Sequence, residues 1–320
     1  MRLEYQIIAA WGLDMALGDS RRLPHPVRLI GRFAGFLEAP LRSSISNPRV
    51  AGLAAALLVV FASTAAAWAG IRSAAFIHPW AGEALSIAIL YWSLAARDLA
   101  DHALDVHGAL AHDDLPAARR LVSRIVGRDT ASMDRGAVAR AAVESVAENT
   151  VDGVVAPLFF AVLAGPVGAM FYKAVSTLDS TFGYRNERYL KFGWASARFD
   201  DLANYIPARL TAPFMMLAAL PLGGALRSFR ICRRDGRLHA SPNAGLAEAA
   251  MAGALGIQLG GPVSRGGRVE VMPLLGAPAA LPEARHIRLA CAVMLTTGLL
   301  AGAAFIAVRL GVRELLAGQL

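Results

Sequence analysis

From Val50 to Gly70 the chain carries no charged residue. That run limits the fold more than any other feature, because a helix crossing a bilayer needs about 20 mostly apolar residues. Two further stretches meet the same requirement: residues 79–96, with Glu83 near the entry, and residues 287–308, with only Arg288 at the edge. Residues 154–171 and 207–226 are as apolar, but Gly165-Pro166 breaks the first, and Pro221 with Gly223-Gly224 breaks the second. Irregular backbone at membrane depth is tolerated only where protein or a wet cavity surrounds it, so these two segments are expected to be broken or re-entrant. Residues 5–17 are too short to span and contain Asp14, which suits a tilted or interfacial helix.

Composition supports a membrane-embedded chain. Apolar residues make up 56% and charged residues 18% of the 320, with mean hydropathy +0.46, which is too apolar for an ordinary soluble domain and excludes a disordered polymer. The predicted fold is therefore all-α: one polytopic integral membrane domain over 1–320, with Gly/Pro-broken or re-entrant helices and cytoplasmic helical segments. The polar helical segment 97–149 reads as a hairpin, with Pro116 after Asp113-Asp114 in the first turn of a new helix. Residues 228–285 are expected to hold one helix, from 244 to about 255, then an irregular or short β stretch around 260–278.

The formal charge of +8 is scattered, with no Lys-rich run, so acidic lipid or phosphorylated substrates fit better than nucleic acid. Arginines cluster before residue 50, in 97–149 and in 228–285, which assigns those segments to the cytoplasmic side. Charge counting leaves residues 172–206 on either side. Cys232 and Cys291 are isolated, so neither a disulfide framework nor a thiolate metal site is indicated.

Glu144, Glu148 and Asp152 recur at i, i+4 and i+8 and would share one helix face. Beside Asn149 such a face suits Mg²⁺, a hard cation that takes oxygen ligands; a solvated face with Asp152 as helix cap explains the same spacing. The densest polar stretch follows: Tyr172, Lys173, Asp179, Tyr184, Arg185, Asn186, Glu187 and Arg188. Lys173 and Arg185 are suited to phosphate oxygens and Asp179 to a metal, although Tyr172 and Lys173 also fit an interfacial anchor. Asp200 and Asn204 stand one turn apart as a second oxygen pair or as ordinary caps. His25 is held between Pro24 and Pro26, as a structural residue or a proton carrier. Ser241-Pro-Asn-Ala-Gly245, with Asn243, opens a helix whose cap can also receive a phosphate. No P-loop, dinucleotide fingerprint or His-Glu-x-x-His motif occurs.

Several strings resemble the CobD/CbiB family of cobalamin biosynthesis proteins. They are Ser123-Arg-Ile-Val-Gly-Arg-Asp-Thr130, Glu144-Ser-Val-Ala-Glu-Asn149, Asp152-Gly-Val-Val-Ala-Pro157, Thr177-Leu-Asp-Ser180, Gly183-Tyr-Arg-Asn-Glu-Arg188 and Ser241-Pro-Asn-Ala-Gly245, with Leu17-Gly-Asp19 and Pro24-His-Pro-Val-Arg28 at the start. Ser20 and Ala240 stand where that family usually has proline. The resemblance implies an integral membrane adenosylcobinamide-phosphate synthase, a ligase joining the propionate carboxyl of adenosylcobyric acid to aminopropanol or its O-phosphate with ATP and Mg²⁺. It implies multi-pass insertion in the inner membrane among its lipids, an active site facing the cytoplasm and a possible homo-oligomer. For that chemistry the metal-ligand candidates are Glu148, Asp152 and Asp179. Lys173, Arg185 and Arg188 would neutralise phosphate, with Tyr184, Asn186, Asn204 and Asn243 as further substrate contacts. Glu144, Asp200 or His25 would take the proton from the amine, and the residues do not choose among them. A transporter of an anionic or phosphorylated small molecule, or an AmpE-like membrane sensor, are the rival functions.

Overall fold

Asn47 and Pro48 start the longest uncharged helix. The Asn47 side chain accepts from the amide of Arg49 at 3.0 Å, and Pro48 occupies the first turn, where its missing N–H has no partner to lose. The computed structural model describes residues 1–19, 25–184, 186–277 and 280–317. Apart from one β-hairpin, every regular element among them is helical, as the composition requires. Among the described residues, three helical stretches are long and apolar enough to cross a membrane: Pro48–Ile77, Arg135–Phe182 and Ala284–Ala317. The chain divides into two compact units.

Unit 1 comprises Met1–Ala95, Ala156–Asn204 and Phe305–Leu320. It holds α1 (Leu3–Leu17), α2 (Pro26–Ser44), α3 (Pro48–Ile77) and α4 (Pro79–Ser93). Ile30, Ala34, Ala55 and Val59 pack with Leu178, Phe182 and Phe192 in its core, while Phe61, Trp68 and Phe76 of α3 stay exposed, as a lipid-facing surface requires. The structure shortens the expected 79–96 span. α4 has 15 residues and stops at Ser93, where Leu94 turns extended (ψ 154°); at 1.5 Å per residue it is about 22 Å long, less than the roughly 30 Å hydrocarbon core.

Unit 2 comprises Ala96–Val155 and Tyr205–Ala304. The polar segment expected to form a hairpin is three helices: α5 (Ala96–Ala111), α6 (Leu115–Val122) and α7 (Arg135–Asn149). Asp114 caps α6 by accepting from Ala117 N–H at 2.8 Å, ahead of Pro116, as anticipated. After α7 the backbone widens into a π-helical turn, Thr150–Val155. Such turns are rare and disrupt α-helical spacing, so Asp152 does not continue the regular face of Glu144 and Glu148.

The chain then enters α8 (Ala156–Phe182) of unit 1, which breaks where Gly165-Pro166 predicted: Ala164 has φ −134° and Gly165 φ +64°. Beyond the break Gly168 sits so close to Phe160 that an added Cβ would come within 2.4 Å of its carbonyl oxygen. α9 (Trp194–Ala203) completes unit 1's middle segment.

In unit 2, α10 (Tyr205–Ala218) ends before the expected Pro221 and Gly223-Gly224 break, and Gly223 adopts φ +64°. α11 (Ala225–Asp235), unforeseen from the sequence, is an amphipathic helix rich in arginine. α12 (Ala244–Leu255) matches its expected bounds and packs against α7, α10 and α11, nearly all of it buried. β1 (Gln258–Arg265) and β2 (Arg268–Gly276) pair antiparallel. Their turn uses Gly266 and Gly267, both at positive φ, which suits a tight hairpin. α13 (Ala284–Ala317) closes the chain and extends the expected 287–308 span at both ends.

Candidate functional site

In unit 2 the polar groups converge on α7 and α12. Glu144, 2% exposed, accepts from Arg128 Nη1 at 2.6 Å through one oxygen and from Gly260 N–H at 2.7 Å through the other. Gly260 can point its amide there because the β1 bulge between Leu259 and Gly261 turns the strand, with Gly260 at φ +85°. One α7 turn further, Glu148 meets His239 and Glu248, and their ligand atoms all lie within 4.8 Å of one another.

Glu248 is the one acid in the Ala/Gly-rich α12 and is 5% exposed. Burial, then the charges of Glu148 and Glu144, push its carboxyl well above the usual range, and it shares a hydrogen bond with Glu148. Such a pair gains from a proton or a cation. His239 reaches Glu248 with Nε2 at 3.9 Å from Oε1, while its Nδ1 accepts from Ser241 N–H at 3.0 Å. That bond assigns the ring proton to Nε2, the opposite of a histidine that ligates metal through Nε2. The oxygens of Glu148 and Glu248 are thus the fitting ligands for a hard cation, with His239 Nε2–H facing the Glu248 carboxylate at 3.9 Å, beyond hydrogen-bond distance. Ser241 Oγ accepts from Asn243 N–H and Ala244 N–H, capping α12. Gly245 leaves His239 its room, since a Cβ there would stand 2.5 Å from His239 Cβ.

The remaining candidates of unit 2 sit around this core. Asn149 Nδ2 donates to Ser145 O, and Asn243 Oδ1 accepts from Arg209 Nη1 at 3.3 Å. Asp152 lies half-buried on the π-helical turn.

Unit 1 carries the others. The buried Tyr172 donates to Asn204 Oδ1 at 2.9 Å, and Asn204 Nδ2 donates to Asp200 Oδ2 at 3.0 Å, a relay across α8 and α9. Lys173 lies half-buried on the next position of α8. Asp179 covers Gly183 so closely that a Cβ there would meet Asp179 Oδ1 at 2.0 Å. Tyr184, Asn186 and Arg188 are exposed, and Asn186 Oδ1 accepts from Tyr189 N–H. Arg188 forks onto the buried Glu38 at 3.0 and 2.9 Å. Glu38 also accepts from Arg42; burial raises its carboxyl, but the two arginines outweigh that and hold it below the ordinary range. His25 caps α2 by accepting from Val27 N–H, with Nε2 at 3.5 Å from Asp19. Arg185 lies outside the described residues, as does Pro24.

Glu148 was legible as a metal candidate, but its neighbours His239 and Glu248 were missed. The available signal was a lone acid inside an apolar helix, which by default marks a functional position in a membrane protein.

The chain matches the CobD/Cbib protein family over residues 7–294. It is 53% identical over 275 residues to the cobalamin biosynthesis protein CobD of Geobacter metallireducens, covering 85% of this chain and 86% of that protein. It is 47% identical over 275 residues to CobD of Leptospira interrogans, covering 84% and 87%. With the cobalamin biosynthesis protein CbiB of Salmonella choleraesuis it shares 43% over 310 residues, 96% of this chain and 97% of that one. No solved structure matches it. The strings that resembled a family are thus embedded in a likeness covering almost the whole length, and the chain belongs to the CobD/CbiB family.

Proposed function

We propose that the chain serves cobalamin biosynthesis as an amide-forming ligase. It would join the propionate carboxyl of adenosylcobyric acid to aminopropanol or its O-phosphate, using ATP and Mg²⁺ at the cytoplasmic face of the inner membrane. Membership of the family supports the pathway. The observation that carries the chemistry is the pairing of the half-buried Glu148 with the buried Glu248, with His239 beside them. A carboxylate is a poor electrophile, so amide formation needs an activated acyl group, most simply an acyl phosphate formed at the expense of ATP. Bound Mg²⁺ would neutralise phosphate charge during that transfer.

The chain's own groups do the rest. Glu148 and Glu248 would supply oxygen ligands to Mg²⁺, and the His239 Nε2–H, 3.9 Å away, adds a polar neighbour to the Glu248 carboxylate. Asp152 remains a further ligand candidate in unit 2, while Asp179 and Lys173 belong to unit 1. Of the three groups considered for the amine proton, Glu144 uses both oxygens on Arg128 and Gly260, and His25 is engaged as a helix cap. Asp200 is engaged as well, accepting from Asn204 Nδ2 at the end of the Tyr172 relay, so the geometry does not choose among the three.

The test is amide formation by purified protein in detergent, followed by mass spectrometry with adenosylcobyric acid, ATP, Mg²⁺ and either amine. One phosphoryl transfer per amide is expected. Glu248→Gln should raise the Mg²⁺ concentration for half-maximal rate about tenfold or more, the loss of one charged ligand being worth at least 1.4 kcal/mol. Turnover without dependence on either carboxylate would overturn the assignment, and uptake into vesicles without amide formation would favour transport.

A further inference from the structure

Unit 2 contains a cavity of about 360 Å³ between the start of α7 and the hairpin, walled in part by Arg128, Asp129, Ser132, Asp134, Arg140 and Ser264. Its size falls within the range of small-molecule sites, and none of the residues given a role in the reaction above lines it. The charged groups on its wall are not equally committed. Arg128 is paired with Glu144. Asp129 Oδ2 accepts from Ser264 Oγ–H and Gly267 N–H, and Asp134 Oδ1 accepts from Ala137 N–H.

Arg140 differs from them. Nη2 donates to the Pro262 carbonyl at 3.1 Å, but Nε is buried with no acceptor, and no ion pair involves Arg140 among the described residues. A buried guanidinium N–H without an acceptor is uncommon, because its lost hydration goes uncompensated. The group is also held in place: the bond to Pro262 fixes its plane, and Gly261, at φ +90°, approaches so closely that a Cβ would stand 3.3 Å from Nη1. Arg140 thus stands on the cavity wall as a cation with no carboxylate partner among the described residues.

We propose that Arg140 and this cavity form a binding site for the phosphate group of a small-molecule ligand. A guanidinium fork matches phosphate oxygens in shape and charge, and the Ser132 hydroxyl on the same wall is a suitable further donor. The identity of the ligand rests on the proposed reaction, which offers two sources of phosphate: the nucleotide and a phosphorylated amine.

Binding to the full-length protein in detergent separates them, with three probes: aminopropanol O-phosphate, free aminopropanol, and a non-hydrolysable ATP analogue with Mg²⁺. Arg140→Gln should weaken one phosphate-bearing probe about 10- to 100-fold, Arg140→Lys should restore part of that, and free aminopropanol should bind as before. Whichever phosphate probe weakens names the source. Unchanged binding of both would overturn the site. Arg140 also anchors the hairpin, so a second measurement uses the unmutated protein: phenylglyoxal modification of Arg140, read by peptide mass spectrometry. A phosphate-bearing probe should protect it and free aminopropanol should not, and absence of protection overturns the proposal. Amide formation that persists while Arg140 is indifferent to phosphate removes this site alone; protection at Arg140 without amide formation removes only the reaction.

Discussion

Replacing Glu144 by alanine withdraws the acceptor from two donors at once. Arg128, whose side chain is 11% exposed, loses its counter-charge, and Gly260 N–H loses its bond at the hairpin bulge. Removing one partner of a buried ion pair costs about 3–5 kcal/mol, and an orphaned buried amide about 1–3 kcal/mol; the low ends of the two together give about 4 kcal/mol. For a unit of this size each kcal/mol lowers the unfolding midpoint by roughly 2–4 °C, so Glu144→Ala should unfold about 8–16 °C lower in a detergent thermal scan. The double variant Arg128→Met with Glu144→Leu removes the charge problem and leaves only the Gly260 amide unmet. It should recover more than half of the loss, and if Glu144 acts by holding α7 to the hairpin, it should also recover activity. A Glu144→Ala protein as stable as wild type, or a double variant less stable than the single, would refute the reasoning. A stable double variant without turnover would return Glu144 to the list of catalytic candidates.

Two other outcomes follow from close contacts and charge. Gly245→Ala places a methyl group 2.5 Å from His239 Cβ and 2.7 Å from the Gly236 carbonyl oxygen; it should destabilise by about 1–3 kcal/mol and raise the Mg²⁺ requirement by displacing His239, and unchanged values of both would count against the His239 role. Asp235, where the Arg234 fork, opposed by burial and aided by Gly276 N–H, holds the carboxyl below its ordinary range, binds fewer protons folded than unfolded. Its contribution is present above about pH 4 and lost as pH falls through the depressed folded value, so thermal scans from pH 7 to pH 3 should show a shallower acid decline for Asp235→Asn than for wild type.

Local signals account for what could be read beforehand. Ser241-Pro242-Asn243 in front of an Ala-rich run and Gly256 behind it bracket α12, and the structure caps it with Ser241 and ends it with Gly256 at φ +70°. Asp114 with Pro116, and Gly165 with Pro166, are equally local, and both behaved as their chemistry requires. The misses depend on distant partners. The π-helical turn at Thr150–Val155 has no signature of its own, so an α-helical spacing rule extended the acidic face through Asp152. α11 was hidden because its arginines resemble a polar loop, although Ile231 and Cys232 lie one turn from Ser228 on its buried face. The Arg128 and Glu144 pair spans 16 positions and a change of direction, which no helical period encodes.

Within unit 2 the family strings divide the labour in a way that motif matching alone would not suggest. The first carries Arg128 and Asp129: one holds Glu144, the other holds the hairpin through Ser264 and Gly267. The second carries Glu144 and Glu148 on successive turns of α7, so a structural carboxylate and a candidate ligand stand side by side on one helix. Ser241-Pro-Asn-Ala-Gly245 contributes no ligand itself; it caps α12, directs His239 through its Nδ1 and spares space at Gly245. Most of these residues therefore act on the geometry of a few acids rather than on a substrate. The preference of a close carboxylate pair for a cation has to be paired with a scaffold stiff enough to keep the two acids together before the cation arrives. The hairpin latch at Glu144 and the cap at Ser241 supply that stiffness from opposite ends, which is why damage to either is expected to reach Glu148 and Glu248 without touching them.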